Sequence, residues 1–218
     1  MNTWKSGKPV FETDHLGTNI YTAWMGHRRF GYDLISNMKP NRMVELGTYF
    51  GTSHFVFCQA VKDEGLTTEC YAVDTWAGDN HSGSYPESFF ESVLSASQTY
   101  YPGISKLMRM TFDEAVSQFP DESIDLLHID GFHTYEAVKH DFETWLPKLA
   151  VNGIVLMHDI TVVKDDFGVY RFWGELRQLY PSVQFEHGFG LGILMPKGCS
   201  PETAYMVGKW DKIKPLYT

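Results

Sequence analysis

Arg42-Met43-Val44-Glu45-Leu46-Gly47-Thr48-Tyr49-Phe50-Gly51-Thr52-Ser53 reads as a short buried strand, a glycine-bearing turn and the start of a helix. Val44 and Leu46 suit a strand interior. Gly47 permits backbone conformations closed to other residues. Thr52 and Ser53 can serve the orphan amides of a helix start. Open α/β sheets bind nucleotide-like ligands at such junctions. The same pattern is also an ordinary strand-to-helix turn, so the flanking sequence has to decide.

Outward from this junction, strand and helix patterns alternate. A helical stripe over 19–38 (Ile20, Ala23, Trp24, His27, Phe30, Leu34, Ile35) is closed by Pro40. Strands are expected at 43–46, 69–73, 107–110, 125–129 and 154–157, the last entered through the turn Asn152-Gly153. Helices are expected at 52–61, 86–101, 112–119, 135–149 and within 166–180. Thr111 with Glu114 forms a capping box ahead of the 112–119 helix. Strands at 183–186 and 191–195, joined through Gly188 and Gly190, close the pattern. This alternation predicts one α/β domain over 1–218: a Rossmann-like, mostly parallel sheet with helices on both faces. Residues 1–40 form an arm and helix, 41–195 the core, and 196–218 a tail.

Polar residues gather at one edge. Glu45, Asp74, Asp130 and His158-Asp159 all fall at the carboxyl end of an expected strand, the ligand edge of such sheets. A net charge of −9, from 27 acidic and 18 basic residues, excludes a broadly basic nucleic-acid face. Three scattered cysteines make neither a disulfide scaffold nor a zinc site, and the odd count favours a reducing compartment. No apolar run approaches about 18 residues, the length of a membrane span. A soluble, cytoplasmic protein is expected, with homo-oligomerisation left open.

Two constellations carry chemistry. In the first, Gly47 and Gly51 let backbone amides approach a ligand near Glu45, while Asp74 can accept both hydroxyls of a ribose. Gly47-x-x-x-Gly51 lacks the full pattern of dinucleotide binders, which points to another adenosine cofactor. In the second, adjacent strands bring Asp130 and Asp159 together, and paired carboxylates repel unless a cation or proton separates them. A hard divalent ion such as Mg²⁺ resolves this. His158 as a third ligand widens the choice to Mn²⁺ or Zn²⁺. His133, close to neutrality when unperturbed, suits a general base.

Val44 to Ser53, with Asp74 one strand later, resembles the cofactor motif of class I S-adenosylmethionine-dependent methyltransferases. Tyr49 replaces the usual middle glycine, a departure shared by the catechol O-methyltransferase-like group. The segments 72–79 and 127–149, with Met157 to Ile160, resemble a group that tailors glycans and antibiotic sugars (methyltransferase family 24-like). The likeness runs from about Trp24 to Leu194. It implies a seven-stranded sheet with the last strand antiparallel. It implies that Gly47 and Gly51 border the methionine moiety, with Glu45 near its amino group. Asp74 would hold the ribose, Trp76 or Phe112 would flank adenine, and Tyr49, Ser53, Thr75 and Asp130 would complete the cofactor site. Asp130, His158 and Asp159 would hold the metal, although relatives carry Asp-Asn or Glu-Asp where this chain has His158-Asp159. His133 stands three residues after the strand aspartate, the base position in those relatives.

Plain structural readings stand beside these. His128 fits a satisfied core histidine. His81 and Asp79 lie in a polar loop that either covers an acceptor or is simply solvated. Asp165-Asp166 fits a solvated turn, and Asp141 and Glu143 an exposed helix face. At least two of Trp76, Tyr85, Trp145 and Trp173 fit the core. The sequence therefore predicts O-methyl transfer to a hydroxyl of a sugar, glycan or small molecule. A metal-dependent hydroxylase or hydrolase, or a non-catalytic cofactor-binding subunit, are the alternatives.

Overall fold

The structure is a computed structural model that describes residues 3–16, 22–79, 81 and 83–218. A 3-10 turn (Ala23–His27) leads into α1 (Arg28–Met38). Then follow β1 (Arg42–Leu46), α2 (Thr52–Asp63), β2 (Glu69–Asp74), β3 (Gly78–Asp79), β4 (Gly83–Ser84), α3 (Glu87–Tyr100) and β5 (Ser105–Arg109). The chain continues through α4 (Phe112–Val116), β6 (Ile124–Ile129), α5 (Tyr135–Trp145), β7 (Leu149–His158), α6 (Val169–Leu179), β8 (Ser182–Phe185) and β9 (Leu191–Leu194). It ends in α7 (Pro201–Gly208) and α8 (Trp210–Ile213). Residues 19–21 of the expected first helix, and Asn80 and Ser82 of the polar loop, lie outside the described residues.

Seven strands form one sheet in the order β5-β2-β1-β6-β7-β9-β8. The pairs β1–β2, β1–β6, β2–β5 and β6–β7 are parallel, and β9 is antiparallel to both its neighbours. This is the expected Rossmann-like sheet of the class I methyltransferase fold. The strand order reverses between β1 and β6, and open sheets leave a crevice at that switch point.

Alternation along the strands sorts the core into two faces. Met43, Leu126 and Leu156 pack with α1 and α2 through Phe30, Leu34, Phe57 and Ala60. Val44, Leu46, Leu127 and Val155 pack with α5 and α6 through Phe142, Trp145, Phe172 and Trp173. Glu45 and His128 follow the parity of the first set, so two polar residues are driven beneath the α1–α2 layer. The Thr111–Glu114 capping box forms as read.

Several boundaries differ from the sequence reading: the first helix is regular only from Arg28, after the 3-10 turn, and β5 runs two residues earlier than expected at its start. Asn152-Gly153 lies within β7 rather than before it. Asn152 takes φ +63°, and the β6–β7 register shifts between Ile124 and Leu126. Pro147 ends the preceding helix early in a 3-10 turn (Leu146–Lys148), so the strand can start at Leu149. The 112–119 helix stops at Val116. The tail packs back on the domain. Met206 and Ile213 are buried, and the Tyr217 hydroxyl donates to Asp33 at 2.6 Å. No helix among the described residues is long and apolar enough to cross a membrane.

Candidate active site

At the β1–β6 switch point the two strands close on each other. Gly47 has φ +86°, and a Cβ there would stand 2.0 Å from the Asp130 carbonyl oxygen. Only glycine fits, for steric and conformational reasons together. The following turn is held by Asp74. Its Oδ2 accepts the amides of Thr48 (2.8 Å) and Tyr49 (3.0 Å), and its Oδ1 accepts the amide of Trp76 (2.7 Å). An ionised carboxylate has about four acceptor positions. Asp74 therefore organises the turn itself and keeps capacity for one further donor, rather than the free pair the sequence suggested.

Above the turn opens a cleft of about 590 Å³, within the roughly 300–1,000 Å³ of small-molecule sites. Gly47, Tyr49, Ser53, Asp74, Thr75, Phe112 and Asp130 line it, together with Thr22, Trp24 and Tyr85. Gly51 starts α2 behind this wall, packed under Phe55. Glu45 lies fully buried beneath the wall. Trp76 departs from its expected place beside adenine. It is 1% exposed, and its indole N–H donates to the Tyr49 carbonyl at 2.9 Å, turning the ring into the core against Phe90. Phe112 remains for that position. Trp145 and Trp173 are likewise core residues.

The donor set beneath the cleft fits an adenosyl amino-acid cofactor. The Glu45 carboxyl is pushed up by burial, against the neighbouring His128 and Ser53, which pull it down. Among the described residues its Oε1 has no partner, and neither do the buried hydroxyls of Thr22 and Thr48. Buried polar atoms without partners are costly, and a ligand's ammonium or carboxylate would satisfy them.

The other half of the cleft is built by the ends of β6 and β7. Asp130, His133 and Asp159 each bring a ligand atom within 4.8 Å of the others. His133 Nε2 lies 3.0 Å from Asp159 Oδ2, and the His133 ring stacks on Phe167 at 4.6 Å. Burial pulls the His133 pKa down. The bond to Asp159 and the charges of Asp159, Asp130 and Asp79 outweigh it and leave the group raised. Asp159 is destabilised as an anion by burial, yet the bonds from His133 and His158 hold its carboxyl well below the usual range.

His158 departs from its expected place among the metal ligands. Its Nε2 donates to the Gly188 carbonyl at 2.9 Å. Its Nδ1 faces Asp130 Oδ1 at 3.3 Å and Asp159 Oδ2 at 3.2 Å. A carbonyl only accepts, and a lone pair would be repelled by two carboxylates, so both nitrogens carry protons. Burial opposes this charge, but the two aspartates outweigh it and push the pKa up to about 10. His158 is thus an internal cation between the carboxylates, and His133 takes the place of third donor. Two oxygens and one imidazole nitrogen still suit a divalent ion of the Mn²⁺ or Zn²⁺ kind, or Mg²⁺ with added water.

Two residues were missed. Asp166, read as a solvated turn, accepts from His81 Nε2 at 2.7 Å. Phe167 stacks on both His81 and His133. His81 Nδ1 lies 3.4 Å from His133 Nδ1. No local signal marks these partners, since 85 residues separate His81 from Asp166. Asp141, read as exposed, is buried, and burial pushes its carboxyl up to about 7. Glu143 stays at the surface as read, paired with Lys139.

A family model described as a methyltransferase domain matches residues 44–160, more than half of the chain. The chain belongs to this methyltransferase family. A relative from Sinorhizobium fredii, the uncharacterized protein y4gI, is 48% identical over 174 residues. That match covers 80% of this chain, and the chain spans 19% of that relative's length. Two solved structures share the methyltransferase fold. The Podospora anserina methyltransferase PaMTH1, bound to S-adenosylhomocysteine, superposes with a TM-score of 0.59 at 16% identity, covering 80% of this chain and 79% of its own. TomG of Streptomyces achromogenes, an O-methyltransferase of tomaymycin synthesis in complex with S-adenosylmethionine, gives 0.57 at 15% identity, covering 81% and 88%. The family motif spans the turn at Gly47 and both ends of the cleft, from Val44 to Ile160.

Proposed function

We propose that this methyltransferase domain moves the methyl group of S-adenosylmethionine to a hydroxyl of a sugar, glycan or small molecule, beside a divalent cation. One observation carries the reading: the donor atoms of Asp130, His133 and Asp159 converge on the same cleft as the Gly47 turn. The cofactor supplies a sulfonium-activated methyl, and the cation supplies Lewis acidity toward the acceptor oxygen. Gly47, Tyr49, Ser53, Asp74, Thr75 and Phe112 hold the donor against the β1–β2 edge. Asp130 and Asp159 would hold the cation, with His158 offsetting part of their charge.

The hydroxyl oxygen attacks the methyl carbon as the carbon–sulfur bond breaks, and the hydroxyl proton has to leave. His133 is the base that takes it, with Asp159 stabilising the imidazolium at 3.0 Å. Much of the rate comes from alignment of oxygen, methyl and sulfur. Tyr49 and Tyr85, 5.0 Å apart, and Phe132 and Phe167 opposite, give the acceptor two apolar walls suited to a sugar face.

The compact donor group favours one second reading, with His133 as the third cation ligand. Labelled S-adenosylmethionine with a panel of glycosides and sugar nucleotides tests the function. Asp130→Asn and Asp159→Asn should lower transfer at least a hundredfold and leave S-adenosylhomocysteine binding within twofold. Unchanged transfer would sink the proposed chemistry. His133→Ala decides between its roles. Loss of rate at unchanged Mn²⁺ affinity marks a base, and loss of Mn²⁺ affinity marks a ligand.

A further inference from the structure

A buried hydrogen-bonded chain runs under the cofactor half of the cleft. Glu45 and His128 stand opposite each other in the β1–β6 register, on the face covered by α1 and α2. Trp24, in the turn ahead of α1, packs edge-on against Phe57 and His128 and lines the cleft. Its Nε1–H donates to His128 Nε2 at 3.1 Å, and His128 Nδ1 lies 2.8 Å from Glu45 Oε2. Trp24 is 2% exposed, and His128 and Glu45 are fully buried.

The indole fixes the tautomer of the histidine. An indole N–H can only donate, so His128 Nε2 must carry a lone pair. The imidazole is then neutral with its proton on Nδ1, and that proton is committed to Glu45 Oε2. One carboxylate oxygen is thereby held while the other, Oε1, stays buried without a partner. Thr22, two residues before Trp24, lines the cleft with a hydroxyl that also lacks a partner. Neither Trp24, His128 nor Thr22 belongs to the glycine turn.

We propose that Trp24 and His128 are positioning residues that lock Glu45 with Oε1 presented to the α-ammonium of the bound methyl donor. The segment carrying Thr22 and Trp24 walls the amino-acid end of that donor's site. The proposal rests on the reading that the cleft takes S-adenosylmethionine.

Calorimetry with two probes tests it. S-adenosylhomocysteine carries the amino-acid end, and 5′-methylthioadenosine lacks it. Trp24→Phe keeps the ring and removes the donor, so it should weaken S-adenosylhomocysteine at least fivefold and leave 5′-methylthioadenosine within twofold. His128→Ala should weaken the first probe at least tenfold with the same selectivity. His128→Gln, which retains an amide donor, should recover part of the loss. Equal losses for both probes, or none in Trp24→Phe with a native melting profile, overturn the proposal. Wild-type protein that binds neither probe defeats the cofactor reading itself, and this proposal with it.

Discussion

The two halves of the cleft hold their carboxylates by different means. At the β1–β2 edge Asp74 is held by three backbone amides. At the β6–β7 edge Asp130 and Asp159 are held by His133 and His158. Amides are neutral, permanent donors, so the hold on Asp74 does not depend on the protonation of a neighbouring side chain. Imidazoles bind protons and metals and can exchange one for the other. The first arrangement suits a rigid ligand seat. The second suits a centre where protons and cations are handled. Rigid donor binding and adjustable chemistry are thereby kept on separate strand ends, joined where Gly47 touches Asp130.

That joint gives the largest expected effect. Gly47→Ala places a methyl 2.0 Å from the Asp130 carbonyl oxygen and forces a positive φ on alanine. It should destabilise the fold by roughly 3 kcal/mol or more. Thermal melts with S-adenosylhomocysteine and Mn²⁺ titrations should show both halves damaged. Damage to one ligand's binding alone would show that the halves do not share this contact.

Asp141 gives the next effect. Its carboxyl lies against Gly131, where a Cβ would stand 3.4 Å from it. Burial raises its folded pKa from 3.8 to about 7. Between those values the unfolded chain has released a proton that the folded protein retains. Stability from this group is therefore complete below pH 4 and is lost as pH rises through 7. Asp141→Asn should gain roughly 2–4 kcal/mol over the native protein at pH 8 and little at pH 4. Melting temperatures at the two pH values check the sign. An equal shift at both would remove the titration account.

The smallest effect concerns the clasp over the second half. His81→Ala frees Asp166 and uncovers one nitrogen of His133. Orienting partners of this kind are worth about tenfold or more in metal affinity. With His133 as a cation ligand, Mn²⁺ binding falls by about that factor; with His133 as the base, Mn²⁺ binding holds and the transfer rate falls instead, and S-adenosylhomocysteine binding stays within twofold in both cases. A fall in S-adenosylhomocysteine affinity instead would show that the two halves are less separate than the contrast implies.

The cofactor half was legible because its parts are local. A strand, a glycine turn and a helix start follow one another within 42–53, and Asp74 ends the next strand. Even there, the inward turn of Trp76 depended on the Tyr49 carbonyl meeting its indole N–H, a contact across 27 residues. The acceptor half was legible only in its strand ends. His133 was named for its spacing from Asp130, but its neighbours His81, Asp166 and Phe167 come from separate loops. His158 was misplaced because its residue type allows a ligand, and only the Gly188 carbonyl shows that both ring nitrogens already donate.

By itself, the sequence determined the α/β alternation, the polar strand ends and the glycine at 47. Hydrophobic period, turn chemistry and capping are short-range and written into neighbouring residues. Tertiary structure alone decided proton placement: the neutral His128 between Trp24 and Glu45, the charged His158 between two aspartates, and the buried Asp141. Protonation follows from desolvation and from which donors and acceptors meet, and those meetings join residues up to 104 positions apart.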